Sequence, residues 1–212
     1  MRWTNIIKHR SNCPEGLNYS ECKPYLRLES NSKCVYCAMH ENQVGGFDYF
    51  HVEHFRPKSN PRFRDLTHNY YNLYYSCPIC NRFKGASWPN DPVVGNSIPS
   101  FIDPSKNDYN HIFNVDDNGL LSGKTVAAKY MIEKINLNRP QLIIARKIDS
   151  LNKKMEEVID KVFVQLSRCL ISKDDEVIEY GKQLLESFHS LLDSKKLYSS
   201  LSPYEKNEIS RQ

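Results

Sequence analysis

Residues 34–85 read CVYCAMHENQVGGFDYFHVEHFRPKSNPRFRDLTHNYYNLYYSCPICNRFKG. A Cys-x-x-Cys pair stands at each end, Cys34 with Cys37 and Cys77 with Cys80, and 39 residues separate the two pairs. Thiolates at this spacing can reach one ion from a single turn, so the two pairs together supply the four-sulfur tetrahedron that zinc prefers in closed structural sites. The sequence therefore predicts a structural zinc ion that joins the ends of the stretch, with redox-active or unliganded thiols as the alternative.

Composition places the chain among ordinary globular proteins. It has 212 residues, enough for one or two domains, and 40% of them are hydrophobic. No apolar run approaches the roughly 18 residues of a membrane span, and the first residues lack the apolar core of a secretory signal. The seven cysteines include two tight pairs and an odd total, which in a reducing compartment favours metal over disulfides. We expect a cytoplasmic protein with no membrane association.

Positive charge is concentrated in the segment that holds the cysteine pairs. Residues 1–90 contain 12 Lys and Arg against 7 Asp and Glu, whereas the net charge is −2 over residues 91–138 and +1 over residues 139–212. A loop after residue 55 mixes basic and aromatic side chains, a combination that can follow a phosphate backbone and stack on bases. These are Arg56, Lys58, Arg62 and Arg64 with Phe55, Phe63, Tyr70 and Tyr71. A nucleic acid partner fits this charge, although a solvated loop beside core aromatics has the same composition.

Hydrophobic periodicity divides the chain into four parts: a helical lead (1–30), the core with the cysteine pairs (31–90), a turn- and strand-rich extension (91–138) and a helical region (139–212). In the lead, a short helix is expected within residues 18–29, and in the core a strand within residues 47–55. In the extension, strands are expected near residues 100–102, 111–115 and 120–121, with a hairpin turn at Asp117-Asn118-Gly119. The last part predicts two amphipathic helices, residues 141–171 and 174–192, whose apolar stripes are either a local core or a partner-binding face.

Polar residues inside the stretch suit hydrolysis of a phosphodiester, which needs a base for the water and a divalent cation for the leaving oxygen. His54 is a suitable base because imidazole titrates near neutral pH. Glu53 and Asn81 are hard oxygen donors, and a site with two protein ligands leaves waters on the metal, as magnesium prefers. Asn72 can hydrogen-bond the loop backbone or orient His54.

Other residues remain candidates for supporting roles. His51 lies three residues before His54 and is either a partner that positions the site or the base itself. Arg56, Lys58 and Lys84 are candidates for contact with phosphate, with ordinary surface charge as the alternative.

The pattern resembles the HNH endonucleases, which contain the ββα-metal motif. The matching elements are Glu53-His54, Asn72-Leu73, and Cys80-Asn81 followed by Lys84-Gly85. The resemblance implies that His54 is the general base, Glu53 and Asn81 hold the catalytic cation, and Asn72 is the middle asparagine that orients the catalytic loop. Other members carry His at the position of Asn81, so this would be an HNN variant. Asn69 competes for the middle position, and Glu replaces the more usual Asp at position 53.

Further segments resemble a longer HNH subgroup. They are HVEHFRPKS (51–59), FIDPSKNDYNHIFNVDDNGLLSG (101–123) and INLNRPQLIIAR (135–146). This subgroup includes the small nuclease partners of ATPases in bacterial antiphage systems, such as the PtuB component of Septu. The resemblance implies a role in antiviral defence with a PtuA-like ATPase subunit.

The sequence as a whole predicts an α+β fold, with a small zinc-stapled ββα-metal nuclease core and a mainly helical C-terminal part. The expected activity is a metal-dependent endonuclease, a phosphodiester hydrolase acting on DNA rather than RNA, with transfer RNA as an open alternative. The expected cofactors are structural Zn²⁺ and catalytic Mg²⁺ or Mn²⁺. Whether the enzyme nicks one strand or cuts both, and whether it forms a homodimer, are left open by the sequence. A zinc-dependent nucleic-acid-binding module without catalysis is the competing function.

Overall fold

The structure, a computed structural model, describes residues 1–200, so residues 201–212 of the predicted helical region lie outside the described part. Its strands are β1 (His51–His54), β2 (Leu73–Ser76), β3 (Phe113–Val115) and β4 (Leu121–Gly123). Its α-helices are α1 (Lys23–Glu29), α2 (Pro78–Lys84), α3 (Tyr109–Ile112), α4 (Val126–Lys134), α5 (Pro140–Leu170) and α6 (Asp175–Ser200). The chain divides into two compact units, Met1–Ile143 and Ile144–Gln212. The mixture of helices with two small antiparallel sheets confirms the α+β prediction.

Strands β1 and β2 and helix α2 follow one another in the order expected of a ββα unit. The strands are antiparallel, with Glu53 opposite Tyr74 and His54 opposite Leu73. Every residue of β2 is buried, which suits its run of leucine and tyrosine. Helix α2 starts after Cys77, whose Sγ accepts a hydrogen bond from the backbone of the first turn, and it ends at Lys84, followed by Gly85 with φ of +51°.

The second sheet is the predicted hairpin of the extension. Strand β3 pairs antiparallel with β4, and the turn between them contains Gly119 with φ of +77°. Thr125 caps the start of helix α4, because its hydroxyl accepts a hydrogen bond from the Ala128 N–H at 3.2 Å. The hairpin and α4 extend the core of the first unit. Members of that core include Trp3, Leu26, Tyr36, Tyr74, Phe101 and Met131.

One local prediction is wrong, and another is confirmed only in part. Residues 100–102 are fully buried but not a strand, because side chains satisfy their backbone: Ile102 N–H donates to Met131 Sδ at 3.2 Å, and Tyr109 Oη donates to the Ile102 carbonyl at 2.6 Å. Of the strand expected within residues 47–55, only His51–His54 forms a strand, β1, because Phe47–Tyr49 forms a 3-10 turn. The helix expected within residues 18–29 is confirmed as α1, which starts at Lys23 and has Pro24 in its first turn.

The second unit contains most of α5, which is close to its predicted bounds, and all of α6, which continues eight residues past its predicted end at residue 192. Asp174 caps α6, because its Oδ1 accepts hydrogen bonds from the Glu176 and Val177 N–H groups at 2.9 and 3.5 Å. A Cβ added at Gly181 would lie 2.8 Å from Cys169 Cβ, so the two helices approach closely near their connection. Farther along, Lys195 Nζ lies 3.5 Å from Glu156 Oε1, which makes the pair an antiparallel hairpin.

The predicted apolar stripe of α5 is incompletely covered. Leu166 is buried, whereas Leu151 and Val158 are each 46% exposed. Among the helices of residues 1–200, none combines the length and the apolar character needed to cross a membrane.

Candidate active site

The four paired cysteines meet in one buried cluster. Cys34 and Cys37 lie in a turn whose backbone is joined to β2 by a 3.0 Å hydrogen bond from the Val35 N–H to the Tyr75 carbonyl. Cys77 and Cys80 lie at the start of α2. The four Sγ atoms are within 4.8 Å of one another, and Cys37 and Cys77 are 3.9 Å apart. In a tetrahedral zinc site with bonds of about 2.3 Å, sulfur atoms are about 3.8 Å apart. The cluster therefore fits a closed four-sulfur metal site.

The electrostatics of the cluster suit a bound cation. Burial raises the pKa of the Cys37 thiol and that of the Cys80 thiol well above the ordinary value for cysteine. Burial also acts against the Cys34 thiolate, but hydrogen bonds from neighbouring cysteines hold the pKa of Cys34 well below its ordinary value. Arg139 Nη2 lies 3.5 Å from Cys80 Sγ and adds positive charge. Burial disfavours several charged thiolates in one place, and a divalent ion would compensate their negative charge.

Beside this cluster, β1 and α2 border an opening of about 570 Å³. Five sequence-predicted site residues line it, namely His51, Glu53, His54, Lys58 and Asn81. Asn72 and Lys84 are buried behind it, and Arg56 lies near the rings of Phe63 and Trp88, about 6 Å from each centroid. The ββα unit thus brings most of the predicted site to one place.

His54 is held in a defined orientation at the opening. Its Nε2 lies 3.0 Å from the Thr67 carbonyl oxygen, and only 7% of the residue is exposed. A carbonyl only accepts hydrogen bonds, so Nε2 carries the proton and Nδ1 of the neutral ring is an acceptor. Burial lowers the pKa of His54, and the charges of Lys58 and Lys84 lower it as well. The hydrogen bond with the Thr67 carbonyl has the opposite effect, smaller than that of burial, and raises this pKa. The neutral ring is therefore favoured near pH 7, as a general base requires.

Asn72 connects the two ends of the loop between β1 and β2. Its Oδ1 accepts from the Arg56 N–H at 2.8 Å, and its Nδ2 donates to the carbonyls of Arg56 and Leu66 at 3.0 and 3.3 Å. The alternative middle residue, Asn69, instead caps a 3-10 turn by accepting from the Tyr71 N–H at 3.0 Å. Of the two asparagines, Asn72 holds the loop that includes Thr67, and it thereby supports the orientation of His54.

Glu53 and Lys84 form a buried ion pair. Lys84 Nζ lies 2.5 Å from Glu53 Oε1 and also donates to the His54 carbonyl at 3.0 Å. Tyr36 Oη donates to the same carboxylate at 3.2 Å. Burial raises the pKa of Glu53, while Lys84 and Tyr36 lower it. The carboxylate lines the opening and its charge is partly compensated by Lys84. Its role as a metal ligand stays a prediction.

His51 and Asn81 lie at the outer end. His51 Nδ1 is 3.2 Å from Asn81 Nδ2, although the two residues are 30 positions apart in the chain. Asn81 is in the second turn of α2, and His51 is the first residue of β1. The ββα unit therefore places an imidazole nitrogen and a side-chain amide together at the rim.

Sequence reasoning missed Tyr19. Its ring packs edge-on against His54 with centroids 4.9 Å apart, and its hydroxyl accepts a 2.9 Å hydrogen bond from Lys58 Nζ. Tyr19 also lines the opening, where it covers part of the His54 ring. It lies in the N-terminal lead, where no motif marks it, and only the tertiary fold reveals its contact with the site.

The family model described as HNH endonuclease matches residues 34–87, the segment that contains the cysteine cluster, β1, β2 and α2. A search of curated proteins and a search of solved structures returned no match. Residues 34–87 are thus similar to an HNH endonuclease domain, which indicates a nuclease-type hydrolase and implies nucleic acid binding.

Proposed function

We propose that the protein is a metal-dependent endonuclease that hydrolyses phosphodiester bonds, in DNA rather than RNA. The observation that carries the proposal is the hydrogen bond from His54 Nε2–H to the Thr67 carbonyl at the edge of the opening. It supports a neutral imidazole whose Nδ1 can take a proton from water.

In the proposed reaction, Nδ1 of His54 takes a proton from a water molecule while the water oxygen bonds to phosphorus. The bond from phosphorus to the leaving sugar oxygen then breaks. Asn72 acts through the loop backbone, because its bonds to Arg56 and to Leu66, the residue before Thr67, help to hold the Thr67 carbonyl and hence His54 in place. Lys58 and Lys23 line the same opening and are the residues proposed to attract the phosphate.

Glu53 and Asn81 are the residues proposed to hold the catalytic Mg²⁺ or Mn²⁺. The cation would supply positive charge for the phosphate and the leaving oxygen. Oxygen donors from a carboxylate and an amide suit such an ion. The four-cysteine cluster is proposed to hold structural Zn²⁺, since its closed sulfur geometry leaves no position for a substrate.

The test is His54→Ala in the full chain, assayed with supercoiled plasmid, linear DNA and transfer RNA in the presence of Mg²⁺ or Mn²⁺. Loss of a general base should lower the cleavage rate about 100- to 10,000-fold. His111→Ala is the matched control, because His111 lies on α3 with 85% of its side chain exposed. Undiminished cutting by His54→Ala would contradict the proposal, and binding without cleavage by the wild type would favour a zinc-dependent binding module.

We also propose that the helical hairpin docks on an ATPase subunit in an antiphage defence system. The resemblance of residues 51–146 to the nuclease partners of such ATPases motivates this, and the half-exposed stripe of α5 supports it. Leu151→Glu combined with Val158→Glu should abolish copurification with an ATPase encoded beside this chain. Ser167→Glu, on the opposite face of α5, is the control that should retain it. Equal copurification of both variants would contradict docking through this stripe.

A further inference from the structure

The contact between His51 and Asn81 assigns a role to a histidine other than the base. His51 Nδ1 and the Asn81 amide are 3.2 Å apart at the rim of the opening that His54 lines. Two adjacent ligands of an octahedral cation with bonds of about 2.1 Å are about 3.0 Å apart. Rotation of the amide by half a turn would present its oxygen in place of its nitrogen, so the observed spacing matches an adjacent ligand pair.

Strand geometry places a third donor on the same side. His51 and Glu53 are two residues apart in β1, and residues at that spacing share one face of a strand. Because the Glu53 carboxylate is already in an ion pair with Lys84, its negative charge is partly compensated before any cation binds. A neutral nitrogen donor near the Asn81 amide would therefore strengthen the binding of a cation at the opening.

We propose that His51 is a ligand of the catalytic cation, through Nδ1 and adjacent to the Asn81 amide oxygen. This inference rests on the proposed nuclease function and extends its set of metal-holding residues. His51 and His54 then have separate tasks, since His54 Nε2 is engaged with Thr67 and its Nδ1 serves the water.

An imidazole ligand also determines which class of cation the site prefers. Magnesium favours oxygen donors, whereas first-row transition ions bind imidazole well, with affinity rising from Mn²⁺ through Co²⁺ to Ni²⁺. The site should therefore bind Mn²⁺ and Co²⁺ more tightly than Mg²⁺, and His51 should be the source of that preference.

The experiment measures cation binding by the full-length, zinc-loaded protein in the absence of nucleic acid. Mn²⁺ is titrated and the free ion is followed by electron paramagnetic resonance, and Mg²⁺ is then added as a competitor. His51→Ala should weaken Mn²⁺ binding at least about 10-fold, and His51→Gln should lose most of the preference for Mn²⁺ over Mg²⁺. His111→Ala and Asn69→Ala are matched controls and should bind Mn²⁺ as the wild type does.

The two variants at position 51 separate a ligand from a hydrogen-bond partner. Gln can still hydrogen-bond Asn81 but offers no imidazole, so a purely structural role predicts an unchanged cation preference in His51→Gln. Either that result or Mn²⁺ affinity within twofold of the wild type in His51→Ala would overturn the inference. The proposed nuclease function would still stand if His54→Ala lowered the cleavage rate. Full cleavage by His54→Ala would instead overturn the proposed function itself.

Discussion

Lys84 and Glu53 are paired at 2.5 Å inside the first unit, where the side chain of Lys84 is fully buried and that of Glu53 is 4% exposed. Lys84 ends α2 and Glu53 lies in β1, so the pair joins the helix to the strand of the ββα unit. Its second hydrogen bond, to the His54 carbonyl, fixes the backbone next to the proposed base. The ion pair therefore connects the stability of the unit to the position of His54.

Removing one member of this pair should be costly. Lys84→Met leaves a buried carboxylate without its cation and should lower the free energy of unfolding by about 3–5 kcal/mol. Denaturant unfolding measures this loss, and Lys106→Met, at an exposed lysine, is the control. Combining Lys84→Met with Glu53→Gln should recover part of the stability, since no unpaired charge then remains. A double variant less stable than Lys84→Met alone would contradict this account.

The cysteine cluster should determine whether the first unit folds. Cys80→Ala removes a sulfur from a site whose four members are all buried, and loss of a metal site typically costs more than about 4 kcal/mol. A strong chelator should have the same effect on the wild type, because metal binding and folding are coupled. Thermal unfolding measures both effects. Cys169→Ala, which lies outside the cluster, should shift the midpoint only slightly, and equal shifts in the two variants would argue against a bound metal.

The lowered pKa of His54 makes a prediction about pH. Since the neutral ring is the active form of a base, cleavage should be lost only when the pH falls below the His54 pKa in the folded protein. Burial places that pKa below the ordinary value of about 6.5. The acidic limb of kcat/KM should therefore have its midpoint below about pH 6.5, and a bound cation would lower it further. An acidic midpoint at or above the ordinary value would count against His54.

Asn72 and Asn69 offer a matched comparison within one loop. Asn72→Ala removes three partly buried hydrogen bonds to the loop backbone and should cost about 2–4 kcal/mol of folding stability, together with most of the cleavage activity. Asn69→Ala removes one exposed cap and should cost about 1 kcal/mol. Unfolding midpoints and cleavage rates of the two variants test this order. The reverse order would identify Asn69 as the residue that holds the loop.

The features predicted correctly from the sequence depend on local spacing. Cys-x-x-Cys pairs, a Gly-containing hairpin turn and the apolar period of the long helices are each visible within a few residues. The errors arise where a tertiary contact replaces the local signal. Residues 100–102 look like a strand but are satisfied by the side chains of Met131 and Tyr109. Likewise, no sequence pattern shows that Lys84 reaches Glu53, because the fold brings together residues 31 positions apart.

Tyr19 is the clearest case of a contact that sequence patterns do not reveal, and it can be tested through the same pH profile. Its ring lies 4.9 Å from that of His54 and contributes to the burial that lowers the His54 pKa. Tyr19→Ala should expose His54, raise its pKa towards about 6.5 and move the acidic limb of kcat/KM to higher pH.

Tyr19→Phe is the matched control for this prediction. Phenylalanine keeps the ring against His54 and loses only the hydroxyl that accepts a hydrogen bond from Lys58. Its acidic limb should therefore stay close to that of the wild type, while a released Lys58 should change mainly KM. If Tyr19→Phe and Tyr19→Ala move the acidic limb equally, the hydroxyl and its lysine, rather than the covering ring, control the protonation of His54.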